Sequence, residues 1–181
     1  TDIENRLYKS IFNDQKTPKI SLEELKKKLY QIKEILISEH KSLFIDELDD
    51  LINKVNIFGY HFASLDIRQD SRIHSKVFES VFKTSQSYLG KIFPDNYLDL
   101  SEEEKMKVLS NIKGDVPLDL FKDEQAVSTL GSIRAMKTIQ NINGEKGSNR
   151  YIISNNQNAL NILEVFSMFR LSGWEFPSVD I

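Results

Sequence analysis

The residues best suited to chemistry lie in one short run, Leu65-Asp66-Ile67-Arg68-Gln69-Asp70-Ser71. Charged residues at every second position of a strand fall on one face, so Asp66, Arg68 and Asp70 project together. An arginine there suits a phosphate or a carboxylate, because its planar fork makes two parallel charge-assisted hydrogen bonds. Asp66 is placed to orient that guanidinium; by composition alone the simpler reading is a structural Asp66 to Arg68 ion pair holding a strand end. Ser154, after Tyr151-Ile152-Ile153, closes a second short β-rich run in the same way. Other chemistries find less support. His40, His61 and His74 are scattered over different elements without metal-ligand spacing, and the absence of cysteine excludes disulfides and thiolate metal sites. Neither a Gly-x-Ser-x-Gly elbow nor a dinucleotide fingerprint is present. Gly144-Glu145-Lys146-Gly147 is shorter than a phosphate loop and does not lead from a strand into a helix.

The elements that must position these residues follow from periodicity. Phe58, Tyr60 and Phe62, then Leu65 and Ile67 on the opposite parity, predict a strand that begins at Phe58. Ile73, Val77, Phe78, Val81 and Phe82 take helical spacing, with Asp70 or Ser71 as N-cap, so Arg68 is expected where a strand gives way to a helix. Upstream, Ile3, Leu7, Ile11 and Phe12 predict a short helix that stops before the Thr17-Pro18 turn. Ser21 with Glu24 forms a capping-box pattern ahead of Leu22 to Leu36, and a break at His40 to Ser42 follows. A third apolar stripe, from Leu43 and Phe44 through Leu48, Leu51, Ile52 and Val55, ends at Gly59.

Downstream, Tyr88 to Leu100, with Gly90, reads as loop with one turn of helix. Ser101 with Glu104 starts a helix through Ile112, and Asp123 to Asn143 is a long helix. Asn155 to Asn158 leads from the second strand into a helix over Ala159 to Ser172. Two strand-loop-helix units separated by a helical stretch of roughly eighty residues follow the grammar of parallel strands joined by crossovers, as in a (β/α) barrel with inserted helices. Phe176 to Ile181 reads as the start of a further strand.

At 181 residues, with 40% hydrophobic and 28% charged, the chain suits one folded unit with a real core. A formal charge of −3 gives no general reason to expect nucleic acid or an anionic membrane, and one cluster of basic and aromatic residues at Lys91 to Tyr97 does not alter that. No apolar run has membrane-spanning length and the N-terminus carries no signal-peptide pattern, so a soluble, cytoplasmic protein is expected. Thr1 at one end and Phe176-Pro177-Ser178-Val179-Asp180-Ile181 at the other read as cuts from something longer.

The stretch from Phe58 to His74 resembles the phosphoenolpyruvate carboxylase family, whose pattern there is Phe-Gly, a short run, Leu-Asp-Ile/Val-Arg-Gln, an acidic or polar residue, Ser and then His. Leu65 to Gln69, Ser71 and His74 match it. Tyr151-Ile152-Ile153-Ser154, followed by Ile162-Leu163-Glu164-Val165, resembles the family's Tyr-Val-Ile-Ser and the Ser-Asp-Val-Leu-Ala-Val after it. Leu160 and Asn161 stand where the family usually has Ser-Asp, and Asn155 replaces a methionine, which marks a divergent member. The resemblance implies a mostly helical enzyme around a (β/α) barrel, several times longer than this chain, that carboxylates phosphoenolpyruvate with bicarbonate to oxaloacetate and phosphate. It implies that Arg68 grips the substrate phosphate, with Asp66 and Gln69 as support. It also implies Mg or Mn in the parent enzyme, bound by residues outside this chain, one of them a glutamate just past Ile181.

The resulting expectation is a mainly α chain with two short parallel-type strands, a partial (β/α) barrel segment excised from the middle of the carboxylase. Its parts are a helical region over 1–57, a strand-helix unit over 58–87, a helical insertion over 88–149, a second strand-helix unit over 150–175 and the start of a strand over 176–181. Its partners are the remainder of the carboxylase chain, in a parent that is a homo-oligomer; the fragment itself binds no metal and is inactive. The rival reading is a stand-alone helical interaction module without catalysis.

Overall fold

The computed structural model describes residues 2–12, 20–61, 63–88 and 92–181. The Thr17-Pro18 turn, Phe62, Gly90 and Lys91 lie outside them. Among the described residues the chain is mainly helical, with seven α-helices and two short parallel strands, in two units, Thr1–Ala63 and Ser64–Ile181. No helix of the described residues is long and apolar enough to cross a membrane.

The first unit holds α1 (Asp2–Phe12), α2 (Leu22–Glu39) and α3 (Ile45–Phe58). Ser21 caps α2 by accepting the Glu24 backbone N–H at 3.1 Å, while the Glu24 carboxylate takes the Arg6 fork of α1 at 2.6 and 3.1 Å. The pairs Tyr30 with Asn56 and Lys33 with Asp49 run α2 and α3 antiparallel. Their apolar stripes meet at Ile20, Leu25, Leu29 and Ile52, with Leu48, Val55 and Tyr60 packed around them.

Two expectations are corrected here. Phe58 does not open a strand; it is the last residue of α3, because the hydrogen-bond ladder continues to the Gly59 N–H, which donates to Val55 O at 2.9 Å. Gly59 at φ +55° then ends the helix, as only a residue without Cβ does cheaply. Leu43 and Phe44 precede α3 in a turn where Lys41, Ser42 and Phe44 all have positive φ, so the apolar stripe there is not helical, and both side chains are exposed.

The second unit contains β1 (Asp66–Asp70), α4 (Ser71–Tyr88), α5 (Glu102–Asn111), α6 (Glu124–Asn143), β2 (Arg150–Ser154) and α7 (Ala159–Leu171). Ser101 and Glu104 form a full capping box on α5, Asp123 caps α6, and Asn158 caps α7. β1 and β2 pair in parallel, Asp66 opposite Arg150 through Asp70 opposite Ser154. Asp180 bridges Arg150 in parallel on the far side of β2, where Tyr151 N donates to Asp180 O at 2.9 Å. The segment after Phe176 thus begins to pair as a strand would. The core is one cluster in which α4 contributes Val77, Phe78, Val81 and Phe82, α6 contributes Leu130, Ile133 and Met136, and α7 contributes Val165, Met168 and Phe169. Phe93 and Tyr97 stack against Phe78 and Phe82, with ring centroids 5.3 to 5.7 Å apart, which ties down the chain between α4 and α5.

Candidate functional site: the open face of β1

Ile67 of β1 packs against the core, and alternation puts Asp66, Arg68 and Asp70 on the other face. Parallel register sets Arg150 beside Asp66, Ile152 beside Arg68 and Ser154 beside Asp70. Arg68 is therefore at the centre of its strand, not at the end; the strand runs on two residues because its pairing with β2 continues to Ser154.

The charges on this face are apportioned unequally. Arg68 Nη2 is 3.8 Å from Asp66 Oδ2, beyond hydrogen-bond reach. Its guanidinium makes no hydrogen bond among the described residues, and its side chain is 71% exposed. Asp66 thus forms a long ion pair with Arg68 through Oδ2, as the simpler sequence reading expects, and a closer one across the strands, where Arg150 Nε lies 3.0 Å from its Oδ1. Asp70 is engaged by Arg72: Oδ1 accepts the backbone N–H and Nε, each at 2.9 Å, and Oδ2 accepts Nη2 at 2.8 Å. Those hydrogen bonds hold the Asp70 carboxyl down at about 2. The backbone bond also satisfies one of the free donors of the first turn of α4.

Gln69 points the other way. Its Nε2 donates to Thr129 Oγ1 of α6 at 3.0 Å, and its Oε1 accepts from the Tyr151 hydroxyl at 3.1 Å. The structure does not bring Gln69 beside Arg68; it pins the back of the strand that presents Arg68. His74 Nε2 lies 2.9 Å from the same Tyr151 hydroxyl, fully buried, and burial pushes its imidazole down to about 4 and the Tyr151 phenol up. In the first unit His40 ends α2 and His61 follows α3, and in the second His74 lies in the core. No group of three or more His, Cys, Asp or Glu among the described residues is able to hold a metal ion.

Sequence reasoning passed over Arg72 and Arg150. Arg72 carried a readable signal, since an Asp just before a helix accepts the backbone N–H of the second helical residue. Arg150 carried none, because its meeting with Asp66 depends on a register between strands 84 residues apart. A cleft of about 350 Å³ lies along β2, lined by Ile152, Ile153, Asn156 and Ile162 together with Asp180 and Ile181. Chemically, the open face offers one guanidinium that donates no hydrogen bond among the described residues and has only a 3.8 Å ion pair to Asp66, a carboxylate that Arg150 engages more closely. That is an anion-binding arrangement.

The family model described as phosphoenolpyruvate carboxylase matches residues 3–180. The chain is 32% identical to a phosphoenolpyruvate carboxylase of Thermosynechococcus vestitus over 73% of its length, and 30% and 28% identical to those of two Prochlorococcus marinus strains over 94% and 89%. It spans only 13 to 16% of the length of these relatives.

Proposed function

The chain belongs to the phosphoenolpyruvate carboxylase family, and from that premise we propose that it is the middle part of a longer carboxylase, carrying two strands of a (β/α) barrel, the start of a third and one substrate arginine. The parallel register of β1 and β2, the helices packed behind them, and the Asp180 bridge on the far side of β2 support the barrel reading. In that setting the face bearing Asp66, Arg68 and Asp70 lines the barrel interior. Arg68 grips the phosphate of phosphoenolpyruvate through its open fork, Asp66 supports it only while engaged by Arg150, and Gln69 holds the strand from behind.

The parent enzyme, a cytoplasmic homo-oligomer in this reading, carboxylates phosphoenolpyruvate with bicarbonate. The phosphoryl group passes to bicarbonate, giving carboxyphosphate and the enolate of pyruvate, and the enolate then takes up carbon dioxide. Mg or Mn in the parent supplies positive charge for this chemistry. The described residues of this chain do not form a site for such an ion, so no step is assigned to them through it. What they supply is phosphate recognition. A phosphoryl transfer needs several cationic groups placed together, and one open arginine does not meet that need, so the chain by itself is inactive.

The observation that carries this reading is the exposed guanidinium of Arg68, ion-paired to Asp66 at 3.8 Å but donating no hydrogen bond among the described residues, on the strand that bears the family motif. In the full-length enzyme, Arg68→Ala raises the KM for phosphoenolpyruvate or depresses turnover; unchanged kinetics would remove Arg68 from the site. A coupled assay of the 181-residue chain is expected to yield no oxaloacetate, and metal-dependent oxaloacetate formation by it would overturn the expected inactivity.

A further inference from the structure

Arg68 stands between two aspartates on its own strand face, and each is engaged by a different arginine. Asp66, two residues before it, lies 3.0 Å from Arg150 Nε, and Asp70, two residues after it, is held bidentately by Arg72 at 2.9 and 2.8 Å. Asp66 Oδ2 also lies 3.8 Å from Arg68 Nη2, and Asp70 shares the strand face with Arg68. An arginine already clamped by a carboxylate has its fork filled, and a phosphate must then displace the carboxylate before it binds.

We propose that Arg150 and Arg72 are positioning residues that engage Asp66 and Asp70, keep either carboxylate from hydrogen bonding to Arg68, and so leave its donors open to the substrate phosphate. Arg150 matters most, because Asp66 Oδ2 already lies within 3.8 Å of Arg68 Nη2 and a small side-chain rotation closes that gap. Arg72 is pre-organised by its own helix turn, which gives Asp70 a backbone N–H as well as the side chain. Asp70 therefore keeps a partner when the Arg72 side chain is lost, and the effect of that loss is smaller. This inference rests on the phosphate-binding role of Arg68 proposed above.

The test is a set of variants in the full-length carboxylase, read by the KM and kcat for phosphoenolpyruvate, by equilibrium dialysis of phosphoenolpyruvate without bicarbonate, and by thermal melting. Arg150→Ala is expected to weaken phosphoenolpyruvate binding and raise its KM by roughly fivefold, the scale of a solvent-exposed ion pair, with kcat within about twofold. Arg150→Lys retains most of the wild-type affinity. Asp66→Asn in the Arg150→Ala background restores affinity, since the intruding carboxylate is gone; a purely structural loss of the cross-strand pair is not restored by removing its second member. An unaltered KM and dialysis constant in Arg68→Ala overturns the phosphate reading and this inference with it. A weakened Arg68→Ala together with an unaltered Arg150→Ala, or with no recovery in the double variant, overturns this inference alone.

Discussion

Tyr151 on β2 donates its hydroxyl proton to the Gln69 amide oxygen on β1 at 3.1 Å, and the same hydroxyl oxygen lies 2.9 Å from His74 Nε2 on α4. With the Tyr151 proton committed, His74 carries its own proton on Nε2, and its bare Nδ1 has no partner among the described residues. The chain of donors ends at Thr129, so β1, β2, α4 and α6 are joined behind Arg68.

That arrangement needs a neutral imidazole, and it sets a pH dependence. The folded His74 titrates near 4 against an ordinary 6.5, through burial. As pH falls through 6.5 the unfolded chain takes up a proton that the native chain refuses. Stability is thus fully present above 6.5 and declines towards pH 4, by on the order of 3 kcal/mol. His74→Leu is expected to flatten that slope and to cost about 1–3 kcal/mol at about pH 7. Urea unfolding at several pH values measures both.

Glu164 on α7 is 8% exposed and accepts the Ser75 hydroxyl of α4 at 2.9 Å. Burial raises its carboxyl, opposed by the hydrogen bonds from Ser75 and Asn161. Its contribution to stability is fully present below the unfolded value of 4.5 and is lost as pH rises through the folded one. Glu164→Gln keeps an acceptor for Ser75 and removes the charge, so it is expected to stabilise the fold by about 1 kcal/mol at about pH 7 and to be neutral near pH 4. Urea midpoints at the two pH values decide it.

Two glycines should respond to alanine with opposite sign. Gly173 has φ +79°, and a Cβ there would lie 3.3 Å from Asp115 Oδ2; Gly173→Ala is expected to destabilise by about 1–2 kcal/mol. Gly131 lies within α6, and a Cβ added there would meet nothing within 4 Å, so Gly131→Ala is expected to stabilise by about 1 kcal/mol. Thermal melts of the two variants are a direct comparison.

Arg68 and Gln69 are neighbours with separable roles. In the full-length enzyme Arg68→Ala is expected to change substrate kinetics while altering stability by no more than about 0.5 kcal/mol, since the side chain is exposed. Gln69→Leu leaves the Tyr151 hydroxyl without its acceptor and should cost about 1–3 kcal/mol, with any kinetic loss tracking the lost stability. Melting temperature against KM for the pair separates contact from support.

Most of the helical scaffold was legible because its signals are local. Ser21 and Ser101 stand where caps must stand, and each accepts the backbone N–H that its spacing promises, while Asp123, read as the first helical residue, caps α6 instead. The stretch from Phe58 misled because alternating aromatics satisfy period two over three residues, while the first of them is still the last residue of the helix before. Leu43 and Phe44 misled for a related reason: hydrophobic spacing cannot report the positive φ values that break the ladder there.

By itself the sequence determined that a strand carries Arg68, though not where it begins and ends, the face on which Asp66, Arg68 and Asp70 gather, and the family that this pattern marks, because these follow from residue order within one short element. Only the tertiary structure decided that Asp66 meets Arg150 as well as Arg68. Asp66 turns to Arg150 because a parallel register lays Arg150 beside it, and Gln69 turns to Thr129 and Tyr151 because the pleat aims it at the core. Partner choice between elements depends on distance in space, which the order of residues along the chain does not contain.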